Sequence, residues 1–151
     1  MIQLSRKSLM ALEAVLDVAL HARPDPVQAR DITDRQGVPQ RYLEQIMQAL
    51  VRANILRGVR GPRGGYRLAR ERRRISVQEI FDVIEAFDGE AAAPCSSSPL
   101  HMAIIAPFHA RLQSALSDAV GETTIADLCA TLPASSDEKA KAGHTSDDFT
   151  I

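Results

Sequence analysis

Apolar residues recur at helical spacing along most of the chain. After Ser5, residues Leu9, Leu12, Leu16 and Leu20 fall on one side of a helix, with Val15 and Ala19 beside them, because positions three and four apart share a face. Ser5 suits an N-cap, and Pro24 and Pro26 close the run, so the spacing predicts a first helix over about 6–21. A short second helix, about 29–36, carries Ile32 and ends at Gly37, a residue type that accepts the left-handed backbone of a helix end. Pro39 suits the first turn of a third helix, about 39–53, whose Leu43, Ile46, Met47 and Leu50 form one apolar face. Gln40, Arg41, Glu44, Gln45 and Gln48 lie elsewhere on it. Short helix, glycine turn and longer helix are the outline of a helix-turn-helix.

The period then shortens. Ile55–Val59 and Tyr66–Ala69 alternate apolar residues with arginine or glycine, and Arg60-Gly61-Pro62-Arg63-Gly64-Gly65 between them is turn chemistry. This predicts a β-hairpin with an arginine at its tip, a wing. Ser76-Val77-Gln78-Glu79 is a capping box opening a helix of about 77–87, with Ile80, Val83, Ile84 and Phe87 inward. Residues 88–99 are a small-residue loop. A long helix over 100–120 places Leu100, Ile104, Ile105, Phe108, Leu112, Ala115, Leu116 and Ala119 on one side, with a kink expected at Pro107. Thr124–Asp127 opens a last short helix ending near Leu132. From Pro133 apolar periodicity is lost, which predicts disorder, until the chain closes on Phe149-Thr150-Ile151. The expected fold is mainly α with a small β-hairpin: a winged helix-turn-helix domain (1–75), a helical dimerisation region (76–132) and an acidic tail (133–151).

Composition narrows the chemistry. The 151 residues fit one globular domain with a tail. No apolar run spans a bilayer. Glu13 and Asp17 break the N-terminal run and no small-residue cleavage site follows, so a cytoplasmic protein is expected. Two cysteines, Cys95 and Cys129, exclude a disulfide framework and an all-thiolate metal site within one chain. The net charge of −1 hides an asymmetry: residues 1–74 hold 15 Lys/Arg against 7 Asp/Glu, a net of +8, and the remainder 3 against 12, a net of −9. Nine arginines fall in 52–74 beside one acid, Glu71. Guanidinium forks match phosphate oxygens, so this half points to nucleic acid. The glycine-rich stretch lacks the Lys-Ser/Thr ending of a phosphate loop and opens no helix. No nucleophile–base pair, ligand cluster or carboxylate pair suggests an enzyme.

Two stretches, Gln40-Arg41-Tyr42-Leu43-Glu44-Gln45-Ile46 and Arg60-Gly61-Pro62-Arg63-Gly64-Gly65-Tyr66-Arg67-Leu68-Ala69-Arg70, with Leu50-Val51-Arg52-Ala53 between them, strongly resemble the Rrf-two family of bacterial winged-helix transcription regulators. The likeness covers roughly residues 1–132. It implies a homodimer, the long helix of each subunit crossing its partner, bound to an imperfect palindrome in operator DNA. The wide apolar side of 100–120 agrees, since a second chain would bury it. Gln40, Arg41, Tyr42 and Gln45 at the start of the third helix are the candidate base and phosphate contacts, and Arg60 and Arg63 at the wing tip the candidate minor-groove or backbone contacts. Arg52 and Arg57 read as phosphate contacts or intramolecular pairs, and Leu43, Ile46 and Leu50 as core.

Many members of the family hold an iron–sulfur cluster on three closely spaced cysteines in the loop before the long helix. This chain has only Cys95 there, followed by His101 and His109; clusters are normally held by thiolates, so no cofactor is expected. His109 reads as a partly buried helical residue and Cys129 as a small core residue. Whether Cys95 is a redox-reactive thiol stays open. The segment Asp147-Asp148-Phe149-Thr150-Ile151 looks like the C-terminal tail of bacterial serine acetyltransferase, which enters the active site of O-acetylserine sulfhydrylase (cysteine synthase), and the family's cysteine-metabolism repressor also binds that enzyme. The likeness implies that Asp148, Phe149, Thr150 and Ile151 dock there, Ile151 offering its carboxylate as a substrate mimic. The 19 residues 133–151 would span about 24 Å r.m.s. as a flexible chain. The combined expectation is a dimeric repressor of cysteine or sulfur genes without a cluster, docked by its tail to the synthase. Two alternatives remain: a redox or iron–sulfur regulator using Cys95, and a regulatory subunit of the synthase that does not bind DNA.

Overall fold

The computed structural model describes residues 5–88 and 98–132. Helix α1 runs Arg6–His21, α2 Ala29–Gln36 and α3 Gln40–Arg52; strands β1 Leu56–Val59 and β2 Gly65–Leu68 follow, then a short 3-10 turn at Arg72–Arg74. Helix α4 is Val77–Asp88, α5 Ala106–Gly121 and α6 Ile125–Ala130.

Local chemistry sets the boundaries. The Ser5 hydroxyl accepts the Ser8 N–H at 3.0 Å and caps α1. Gly37, with φ of 67°, ends α2 in the left-handed region. Asn54 does the same after α3: it has φ of 57°, its N–H reaches Val51 O and the Ile55 N–H reaches Leu50 O. Asparagine tolerates this backbone, and the paired bonds turn the chain sharply into the wing. The strands pair antiparallel with Leu56 opposite Leu68 and Arg57 opposite Arg67. Val27 adds a third edge, exchanging N–H and carbonyl bonds with Tyr66 at 3.0 and 2.7 Å.

Ser76 and Glu79 form the expected capping box at α4, and Thr124 and Asp127 form a second at α6. The two caps sit side by side: the Val77 N–H bonds Thr123 O and the Ile125 N–H bonds Ile75 O, both at 2.9 Å. One core joins Ala11, Ala14, Val15 and Val18 of α1 to Leu43, Ile46, Met47 and Leu50 of α3, Leu56 of β1 and Ile80 and Ile84 of α4. Each such Leu or Ile contributes roughly 1.5–3 kcal/mol by leaving water. A carboxylate is sealed into this assembly. Asp17 is 8% exposed and takes a two-pronged bond from Arg35, Nε to Oδ2 at 2.9 Å and Nη2 to Oδ1 at 2.6 Å. It pins α1 to α2.

Several expectations change. The buried side of α1 is its alanine and valine stripe, whereas Leu9 is 47% exposed and Leu12, Leu16 and Leu20 are only half-buried. Small side chains let α3 and α4 approach α1 closely, and the leucines are left at the rim. Phe87 lies at the surface rather than inward. Instead of a simple kink at Pro107, residues His101–Ile105 widen into a π turn, with the Ala106 N–H bonded to His101 O. The wider turn makes room for a ring that donates no N–H. His109 is exposed, and Cys129 is half-buried against the core rather than inside it. Leu100, Met102, Ile104 and Phe108 are each more than half exposed, and no side chain of α5 is fully buried in one chain.

Candidate nucleic-acid interface

The glycines of the wing explain its shape. Gly61 has φ of 118°. A Cβ on Gly64 would lie 2.3 Å from Val59 O, and one on Gly65 2.4 Å from Val27 O. Gly64 therefore permits the tight reversal and Gly65 permits the third edge. Arg60 and Arg63 project from this tip and are exposed.

On α3, Gln40, Arg41 and Gln45 are exposed. Gln40 Nε2 donates to Glu44 Oε1 at 2.8 Å, one turn along. Tyr42 differs from its neighbours. It is half-buried against the core, and Lys7 Nζ lies 5.6 Å from its ring centre and 5.4 Å from that of Phe87. This cation–π sandwich ties the start of α1 and the end of α4 to the first turn of α3. No sequence signal marks Lys7, because its partners come from three distant segments. Glu44 also bears on Tyr66: burial pushes the Tyr66 phenol up, and the Glu44 charge adds to it.

The nine arginines divide by task. Arg67 donates to Ala22 O at 3.2 Å and to Pro24 O, and Arg72 to Ala19 O; both cover carbonyls at the end of α1. Arg70 bonds Asn54 O, Arg74 O and Glu79 Oε1 at 3.2, 2.9 and 3.2 Å, and Arg73 pairs with Glu71 at 2.7 Å. The side chains of Arg52, Arg57, Arg60, Arg63 and Arg74 make no hydrogen bond or ion pair among the described residues. So three of the nine, Arg67, Arg70 and Arg72, tie separate segments together, Arg73 makes an exposed local pair, and the other five are exposed. Desolvation pushes the Glu79 carboxyl up, but the Ser76 N–H and Arg70 outweigh it and hold the group below its ordinary value. Burial raises the Cys129 thiol, and nearby Arg72 opposes the shift.

Cys95, Asp148, Phe149, Thr150 and Ile151 lie outside the described residues, as do residues 89–97 and 133–151 as a whole. Among the described residues no helix is long and apolar enough to cross a membrane.

The family of iron-dependent transcriptional regulators designated Rrf2 matches residues 4–131. The regulator IscR of Xenorhabdus nematophila is 42% identical over 83 residues, which is 55% of this chain and 51% of that protein. The chain spans about half the length of the curated relatives it matches. Among solved structures, IscR of T. potens is 27% identical with a TM-score of 0.68, covering 97% of this chain and 94% of that one. CymR, the global cysteine regulator of B. subtilis, is 22% identical with a TM-score of 0.68 over 88% of this chain and 100% of its own; that likeness is one of fold. Iron finds no matching donor set among the described residues, where no three His, Cys, Asp or Glu side chains converge. A family match over most of the chain, a helix-turn-helix with a glycine-built wing and outward arginines on both agree: the chain belongs to the Rrf2 family of transcriptional regulators.

Proposed function

We propose that the protein is a dimeric regulator that binds operator DNA through residues 1–75 and dimerises through 76–132. In this reading Gln40, Arg41, Tyr42 and Gln45 at the start of α3 meet base edges and adjacent phosphates, and Arg60 and Arg63 enter the neighbouring minor groove or grip its backbone. The observation that carries it is the exposure of Arg41, Arg60 and Arg63 with no carboxylate engaged on them among the described residues. Their half-buried neighbour Tyr42 acts chiefly as a positioning residue. The exposed apolar side of α5 supports a second subunit as its cover. Gel-shift titration with the DNA upstream of its own gene tests the reading; salt-sensitive, saturable binding is expected, and its absence rejects it.

We further propose that the regulated genes serve cysteine or sulfur metabolism, that the protein represses them, and that residues 133–151 recruit O-acetylserine sulfhydrylase through Asp148, Phe149, Thr150 and Ile151. The support is the apolar end of an otherwise polar segment and a fold shared with a cysteine regulator. A pull-down of the synthase by the full chain, and by a chain lacking the last four residues, separates this from a plain DNA-binding dimer.

A further inference from the structure

Away from the wing tip, the end of α1 and the base of the hairpin enclose a cleft of about 250 Å³. Arg23, Arg57, Arg67, Arg70 and Arg72 line it, against one carboxylate, Glu71. That carboxylate is already held by Arg73, and Arg70 is paired with Glu79. Arg67 and Arg72 bond only to backbone carbonyls. A carbonyl fixes the plane of a guanidinium and leaves its full charge. The side chains of Arg23 and Arg57 make no hydrogen bond or ion pair among the described residues.

Four cations without a carboxylate thus converge on one concave surface. The negative end of the α1 dipole offsets part of their repulsion, being equivalent to roughly half a charge. The remainder is a focused positive field. Arg57 and Arg67 are directly opposed across the two strands, so they lie on one face of the hairpin. Arg67 is held in place by Ala22 and Pro24, with N–H groups to spare on a fork that carries five. Fixed donors at the back and exposed donors at the mouth suit a compact tetrahedral anion.

We propose that this cleft binds a single phosphate or sulfate group, Arg67 and Arg72 acting as fixed donors and Arg23 and Arg57 closing on the anion from the rim. The group is either a free oxyanion or a phosphodiester of DNA lying beyond the wing; the chemistry at the arginines is the same. The site is separate from the contacts assigned to α3 and the wing tip, so its failure leaves those standing.

The experiment uses the full-length protein, the double variant Arg23→Ala/Arg57→Ala, the single variant Arg57→Gln, and the control Lys139→Ala/Lys141→Ala, which removes the same charge as the double variant. Thermal unfolding is followed in chloride and in inorganic phosphate at matched ionic strength. A free-anion site predicts that phosphate raises the Tm of the wild type and of the lysine control, that the double variant Arg23→Ala/Arg57→Ala loses the rise, and that Arg57→Gln loses part of it. A DNA-phosphate site predicts no specific phosphate effect, but a salt slope of DNA binding lowered by about 1–2 per subunit in the double variant, with sequence discrimination unchanged. Arg57→Gln, which disturbs no intramolecular bond, gives the smaller change in the same direction and covers misfolding of the double variant. Variants that match the wild type in both phosphate response and salt slope overturn the proposal.

Discussion

At Gly65 the wing has no room for a side chain, because Val27 O would lie 2.4 Å from a Cβ and belongs to backbone that is itself paired with Tyr66. Gly65→Ala is expected to destabilise the fold by about 1–3 kcal/mol in urea unfolding, the range of overpacking. Gly58→Ala, whose Cβ would meet nothing within 4 Å, is expected to be neutral or stabilising by up to about 1 kcal/mol. The adjacent glycines were legible in the sequence as turn chemistry, which is right for Gly61 and Gly64. The reason for Gly65 was not, since it depends on a segment far upstream. Arginine shows the same divide. Composition marked nine cations, but only the fold separates Arg67, Arg70, Arg72 and Arg73, which bond within the chain, from Arg60 and Arg63, which do not. Arg63→Ala is therefore expected to weaken binding to all DNA and to lower the salt slope by about 1 per subunit. Arg41→Ala should also relax discrimination, by about 1–3 kcal/mol for each base edge that the guanidinium reads. Fluorescence anisotropy over a salt series, with operator and scrambled duplexes, checks both; an unchanged slope for Arg63→Ala takes the wing tip off the DNA.

Helix boundaries followed from caps and breakers within a residue or two, since Ser5, Gly37, Ser76 with Glu79 and Thr124 with Asp127 act through local bonds. The buried faces of α3 and α4 followed from periodicity, but that of α1 did not. Helix α1 is apolar on more than one side, and periodicity favoured the larger leucines. Close packing against α3 and α4 selected the small Ala11, Ala14, Val15 and Val18 instead. Helix α5 gives the converse case, a clear apolar face that one chain leaves open. Phe108→Glu is accordingly expected to leave the monomer folded, because the side chain is 56% exposed there, and to shift sedimentation from dimer to monomer with loss of operator affinity. Unchanged sedimentation removes α5 from the interface. The start of α4 carries a pH dependence. Because the Glu79 carboxyl is held below its ordinary value by Ser76 and Arg70, its ionised form stabilises the fold above the unfolded-state pKa, and that contribution is lost as pH falls through the lower folded value. The Tm gap between wild type and Glu79→Gln should be present near neutrality and close on the acid side. A gap that widens in acid contradicts the assignment.

Across the whole chain, the positive charge of residues 1–74 is set against the negative charge of the rest. In the proposed reading the basic half draws DNA, and association should slow steeply with salt. The acidic half gains nothing from DNA, and its last residues return to apolar character at Phe149 and Ile151. In the proposed reading this apolar pair is buried by the partner that the segment recruits. For O-acetylserine sulfhydrylase as that partner, a peptide of residues 147–151 is expected to inhibit competitively with O-acetylserine, because both place a carboxylate in one site. Phe149→Ala in the peptide should weaken binding by about 1–3 kcal/mol as apolar burial is removed. Amidating the peptide's carboxylate should abolish it. Calorimetric titration reads all three. If the synthase is saturated with its substrate, the regulator is released, and any difference in its affinity for DNA between bound and free forms moves operator occupancy by the same factor. Absence of heat and of inhibition at millimolar peptide, with the full-length protein also failing to bind, ends the synthase reading and leaves the DNA-binding dimer untouched.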